Sequence, residues 1–419
     1  MKKLSGLLLL SLIIFAGCGT DTTTEDISGE ITVVTSYTDA EDKFADVEAG
    51  FIEKYPEVTD IKWESTAGDY DEYITTRMTS GDYGDVLLVP FSLTRSLDQL
   101  PEFMESLGNE EELSKDWTFT DQAAYEGQTY AMPISLNSLG MMYNTEVFEN
   151  AGASVPTSSE ELYDACAAIE DNGQTCMYSN LNNLPMLWSG GVTSYGGEGY
   201  VDDMLAAGTA FEEGQPYRQI LDLIYTMITS GYTEADPMTG DIMTSMQQLA
   251  SGEVGFIIMG SQSLADAQAM AGSEETIKMA PFPVSFDGEQ HMPLGPDELI
   301  GVSNKSDNIA TSKAFVEYLV SSESGFAYSN GGFAPEVDGN KDAPENLAYQ
   351  IEDYDTYRTI ATADSETVAE FNQIGNDANM PSISTPITEL IEVATNDGDY
   401  DQFIADLETR WEDAVAKNA

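Results

Sequence analysis

Histidine is nearly missing from this chain. His291 stands alone, so no imidazole-rich metal cluster can form, and a Ser-His or Cys-His pair could use only that residue as its base. Neither G-x-x-x-x-G-K-[ST] nor G-x-G-x-x-G occurs, which removes the common phosphate-cradling loops, and no cofactor or metal is expected. Basic residues are scarce: 16 Lys and Arg stand against 74 Asp and Glu, for a formal net charge of −58. Such a surface repels nucleic acid and anionic membranes, so neither is an expected partner. With that many carboxylates, a pair at glycosidase spacing arises by chance and carries no weight. After the first residues, no stretch is apolar enough to cross a bilayer.

What is present begins with an export signature. Lys2 and Lys3 precede an apolar run from Leu4 to Ala16, too short to span a bilayer. The run ends in Phe15-Ala16-Gly17-Cys18, which resembles the bacterial lipobox, with Phe15 where Leu is usual. The resemblance implies removal of residues 1–17 and lipidation of Cys18, anchoring the protein to the outer face of the cell membrane; the competing reading is an ordinary signal peptide with a chance cysteine. Residues 18–28 are polar, Thr-rich and acidic, the composition of a flexible tether.

Beyond the tether, 42% hydrophobic and 10% aromatic content supports a folded body large enough for two domains. Ile31 to Thr35 is β-branched and apolar, Phe44, Val47, Phe51, Ile52 and Tyr55 recur at helical spacing, and Ile61 to Glu64 is strand-like, so the body opens β-α-β. Tyr70 to Ser80, Ser159 to Asp171, Pro216 to Ser230, Ala310 to Ser321 and Tyr400 to Ala416 read as helices, and Asp85 to Val89 as a buried strand. Alternation of helices and short strands predicts α/β layers with largely parallel sheets. Cys166, late in one helix, and Cys176, in the strand after the Asn172-Gly173 turn, lie on elements expected to pack together; a disulfide and two separately buried thiols are both open.

Several segments in order are similar to the family 1 extracellular solute-binding proteins, which include maltose-binding protein. They are Tyr125-Glu-Gly-Gln-Thr-Tyr-Ala-Met-Pro133, Met142-Tyr143-Asn144-Thr-Glu-Val-Phe148, Ala151-Gly152 and Pro156-Thr157-Ser-Ser-Glu160-Glu-Leu162, with Ser159 where Trp is usual. Ser80-Gly81-Asp82 followed by Gly84-Asp85-Val86 resembles another family segment, with Gly84 replacing Pro, and Pro281-Phe282-Pro283 looks like its crossing between lobes.

The resemblance implies a two-lobed, type II periplasmic-binding-protein-like α/β fold: residues 29–134 plus 281–329 as lobe 1 and 135–280 plus 330–419 as lobe 2. It also implies the function, capture of a small polar ligand, a mono- or oligosaccharide, by closure of a monomer and delivery to an ABC transporter permease. Three rivals stand beside it: a surface glycoside hydrolase, a structural or adhesive lipoprotein, and, within the class, a polyamine or other cation as ligand. Ligands of α/β sheets sit outside the carboxyl ends of strands, and a sugar needs aromatic faces together with planar polar groups. The aromatic candidates are Tyr37, Phe91 and Phe333, in loops at such strand ends, and Trp188, in a segment where the resemblance implies a helix of the second lobe facing the cleft. Asp39, Asp69, Ser92, Asn137, Ser261, Asp297 and Glu298 are the polar candidates, with Gly260 allowing close backbone approach. Trp63 and Trp411 are assigned to the core.

Overall fold

The computed structural model describes residues 27–94, 96–179, 199–284, 292–337, 357–359, 365–380 and 384–418, together with Leu184, Leu187 and Gly196. The export segment, Cys18, most of the tether and Trp188 lie outside these residues.

Twelve strands position the site. In chain order they are β1 (Gly29–Thr35), β2 (Val58–Ser65), β3 (Val86–Leu88), β4 (Met104–Glu105), β5 (Ala131–Pro133), β6 (Leu136–Asn144), β7 (Thr175–Tyr178), β8 (Val254–Gly260), β9 (Ile277–Ala280), β10 (Met292–Pro296), β11 (Leu299–Ser303) and β12 (Tyr357–Thr359). The first sheet runs β2-β1-β3-β11-β4, with β5 also on β11; the second runs β7-β8-β6-β10-β12, with β9 also on β6. Helices cover them, and the periodic apolar faces explain where. Pro216–Thr229 starts on a proline, whose missing N–H costs nothing at a first helical turn, and buries Tyr217, Ile220, Leu221, Leu223, Ile224 and Met227. That face packs into one core with Phe256, Ile391, Leu407 and Trp411. Phe44, Phe51, Val86, Val302 and Phe315 build the core on the other sheet. Trp63 is half-buried there, stacked 4.5 Å from Phe44 with its indole N–H on Glu48.

Three expectations need correction. The sheets are mixed rather than largely parallel: β1 runs parallel to β2 and β3, whereas β11 is antiparallel to β3, β4 and β5, and β6 is antiparallel to β8, β9 and β10. Strands that arrive by crossing from the other sheet enter from the opposite end, which forces the antiparallel pairs. The return crossing also falls later than Pro281. Phe282 and Val284 fill the core of the second sheet, β10 pairs with β6 in that sheet, and the chain reaches the first sheet only at Leu299. Residues 334–337, expected in the second lobe, lie along 116–118 of the first: Thr118 N–H donates to Pro335 O at 2.8 Å, and Val337 N–H to Asp116 O at 2.9 Å.

Cys166 and Cys176 form a disulfide that ties helix Ser159–Asp171 to β7, both residues fully buried.

Candidate functional site

Two crossings lie side by side. β5 continues through Ile134 and Ser135 into β6, and β10 continues through Asp297 and Glu298 into β11. Because β5 pairs with β11 and β6 with β10, the four strands form one antiparallel ribbon through both sheets. At the junction the ladder is unbroken: Ile134 N–H donates to Glu298 O and Asp297 N–H to Ser135 O, each at 2.9 Å. A ribbon held by so few residues is the natural place for one lobe to turn against the other.

The polar groups gather at this junction. Ser36, just past β1, donates its hydroxyl to Glu298 Oε1 at 2.9 Å, and the Tyr37 phenol lies close enough for the two groups to shift each other's proton affinity. Burial pushes the Glu298 carboxyl above its ordinary value and neighbouring Asp297 adds to the shift, while the Ser36 and Tyr37 hydroxyls and the Lys43 ammonium oppose it. Burial likewise raises the Tyr37 phenol, reinforced by the charges of Glu298, Asp297 and Asp39. Lys43 Nζ lies 4.8 Å from the Tyr37 ring centroid and donates to Asn330 Oδ1 at 2.9 Å. The buried Asn330 amide donates to Asp297 Oδ2 at 3.2 Å and Ser135 Oγ at 3.3 Å. Beneath this layer the Tyr70 hydroxyl bonds Val34 O and Leu88 O, pinning helix Tyr70–Ser80 across the ends of β1 and β3.

The nominated residues therefore divide. Tyr37, Asp297 and Glu298 come together. Asn137 sits half-buried at the start of β6 and accepts from Ser135 Oγ at 3.4 Å; Ser261, after Gly260 at the end of β8, is fully buried and accepts from Ser138 N–H at 3.1 Å. Phe91 is 63% exposed past β3, its N–H held 2.5 Å from Asp71 Oδ1, with the Ser92 N–H at 3.3 Å from Oδ2. That carboxylate fixes the turn and presents an aromatic face to solvent. Asp39 is exposed ahead of the short helix Ala40–Lys43. Asp69 is the N-cap of Tyr70–Ser80, accepting from Glu72 N–H at 3.0 Å, which accounts for the carboxylate without a ligand. Among the described residues Phe333 is the one nominated aromatic that is itself a buried member of a hydrophobic cluster. It is fully buried with Phe119, Leu136 and Leu294. Sequence reasoning missed Lys43 and Asn330; the usable signal was one of the chain's few cations eight residues after β1.

A separate groove of about 790 Å³ lies between helices Ser384–Thr395 and Tyr400–Asn418, lined by Glu389, Glu392, Asp399, Asp406 and Arg410 among others. Arg410 is engaged there by Glu389 at 2.7 Å, and none of the junction residues reaches it. Among the described residues no group of three or more His, Cys, Asp and Glu is arranged to hold a metal, and no helix is long and apolar enough to cross a membrane.

Over residues 37–325 the sequence matches the bacterial extracellular solute-binding protein family. A maltooligosaccharide ABC transporter solute-binding lipoprotein of Streptococcus pneumoniae is 23% identical over 330 residues, covering 76% of each chain. Among solved structures, a binding protein of an ABC transporter from Bifidobacterium animalis subsp. lactis, in complex with mannobiose, superposes with a TM-score of 0.74 at 22% identity, covering 95% of this chain and 97% of that one. The GacH receptor of Streptomyces glaucescens, solved unliganded and with acarbose, gives 0.68 at 19% identity, with 93% and 99% covered. These structural likenesses show a two-lobed α/β fold.

Proposed function

The chain belongs to the bacterial extracellular solute-binding proteins, and we propose that it captures a small saccharide between its lobes and presents the closed form to the membrane subunits of an ABC importer. The observation that carries this reading is the junction itself. A two-strand ribbon joins the lobes, and beside it Tyr37, Asp297 and Glu298 offer an aromatic face next to planar hydrogen-bonding groups. Only such a pairing satisfies both the C–H and the hydroxyl surfaces of a sugar. Phe91 supplies a second aromatic face at the same strand-end edge, and Asn137 and Ser261 lie on the facing lobe. The ligands of the two solved relatives, mannobiose and acarbose, are both saccharides. No bond is made or broken in this cycle: the ligand stabilises the closed arrangement, and closure is the signal.

A thermal-shift screen across mannobiose, maltooligosaccharides, raffinose, polyamines and amino acids tests the ligand class. At least one saccharide should raise the midpoint in proportion to the logarithm of its concentration, because it binds the native state alone. A rise with a polyamine and with no saccharide overturns the class, and reproducible glycan cleavage overturns the binding role. The finer localisation is a lipid anchor at Cys18. Cys18→Ser should move the protein from the membrane fraction to the soluble fraction with ligand binding intact, since a diacylglyceryl group would be its only anchor. Retention on the membrane after signal removal rejects the anchor.

A further inference from the structure

We propose that Gly331 is the positioning residue of lobe closure: its missing side chain sets how closely the 330–333 loop of the first lobe rests against the Ser261 turn of the second. The loop belongs to the first lobe on both sides. Helix Phe326–Ser329 precedes it, with Phe326 in the first core, and residues 334–337 follow along 116–118. Ser261 belongs to the second lobe, directly after β8 and bonded to Ser138 of β6.

Gly331 has φ +69°, and a Cβ there would sit 2.3 Å from Ser261 O and 3.3 Å from Gln262 Cα. The obstacle is backbone of the opposite lobe, not the end of a flexible side chain, so a methyl group is accepted only if the two backbones separate. Gly332 is confined in the same way, with its Cβ position 2.5 Å from Leu136 O where the crossing ribbon enters β6. Asn330 holds the loop in place through Lys43, Ser135 and Asp297, which touches both crossings at once. Ser261 lies at the carboxyl end of β8, where Gly260 pairs with Leu139 near the start of β6 and so beside the crossing ribbon. A wedge on that side pushes the lobes apart and favours the open form.

This inference rests on the capture reading for its purpose but not for its test, which uses protein without ligand. The chain supplies its own control. Gly325 has φ +70°, the same backbone demand, with nothing within 4 Å of its Cβ position. Gly325→Ala and Gly331→Ala therefore share the left-handed strain and differ in the contact with Ser261. Small-angle X-ray scattering from the unliganded proteins should give a larger radius of gyration for Gly331→Ala than for wild type, with Gly325→Ala coincident with wild type. Saccharides that bind wild type should bind Gly331→Ala more weakly while its melting point stays close to that of Gly325→Ala. Coincidence of Gly331→Ala with wild type overturns the proposal, and so does an equal shift in both alanine variants. Should Gly331→Ala fail to fold, Asn330→Ala decides: releasing the loop from both crossings should also change the unliganded scattering profile, and an unchanged profile rejects the loop as a determinant of lobe position. A failed sugar screen leaves this outcome readable, and a failed scattering test leaves the ligand class standing.

Discussion

At the scale of single residues, Glu298 is the group whose state most depends on the fold. The Ser36 hydroxyl donates to it, and the Tyr37 phenol and the Lys43 ammonium favour its charged form, yet burial with Asp297 alongside leaves its carboxyl above the ordinary 4.5. An acid whose folded-state value is raised binds its proton more tightly in the native state. The resulting stability is fully present below pH 4.5 and is lost as pH rises through the folded value. At pH 7 the ionised carboxylate is therefore a burden on the native state. Glu298→Gln keeps an oxygen to accept from Ser36 and removes the charge, so it should melt higher than wild type at pH 7, with the difference shrinking toward zero as pH falls to 4. Paired thermal melts across that range check it, and a variant that melts lower than wild type at pH 7 rejects the assignment. Tyr37, Asp297 and Glu298 were nominated because each follows an apolar strand at a loop, where ligands of α/β sheets bind, but that their loops meet at one junction was not readable from spacing. Phe333 satisfied the same rule yet is fully buried, since a residue's position after a turn does not say which way its side chain points.

Among the elements, the bond between helix Ser159–Asp171 and β7 is the one covalent tie that sequence left open. The pairing required only that a helix and the strand after it pack together, which the Asn172-Gly173 turn already suggested; whether the two sulfurs meet depends on side-chain directions that spacing does not fix. Cys166 and Cys176 are separated by 10 residues, and in the chain-entropy account a loop of that length restrains the unfolded state by about 2.5–3 kcal/mol. Replacing both with alanine should lower unfolding stability by about that amount in a denaturant titration, with ligand affinity unchanged because neither sulfur lies at the junction. Reductant under denaturing conditions should add two hydrogens to the intact mass of the wild type; an unchanged mass would mean two free thiols. The amphipathic helices were the most readable elements, and Pro216–Thr229 and Tyr70–Ser80 sit within a residue of their expected ends. The crossings were the least readable. Pro281-Phe282-Pro283 has the look of a link, but Phe282 is a core residue, whereas the true link is the Asp297-Glu298 pair between two apolar strands. A strand that passes from one sheet to another keeps the composition of a strand throughout.

For the whole molecule, the excess of 74 acidic over 16 basic residues and the fold answer different questions. Two lobes on a ribbon explain capture, while the charge governs which ligands the field draws in. The junction shares the molecule's sign: Asp39, Asp297 and Glu298 act together on Tyr37, and the cation that faces them, Lys43, already donates to Asn330. A polyamine would gain from that field, and a neutral saccharide would gain nothing from it. Screening separates the two. The Debye length falls from about 30 Å at 0.01 M salt to about 3 Å at 1 M, so attraction between a cation and the distributed carboxylates collapses across that range, while hydrogen bonds and aromatic stacking at the junction persist. Affinity for the saccharide identified by thermal shift should accordingly change by no more than about twofold between 0.01 M and 0.5 M salt, as read by calorimetric titration. The same titration with spermidine should show, at most, weak binding at low salt that disappears at high salt. If the best ligand instead loses about tenfold or more in affinity as salt is raised, long-range attraction carries its binding, and the physiological ligand is a cation drawn to the acidic cleft and not a neutral sugar.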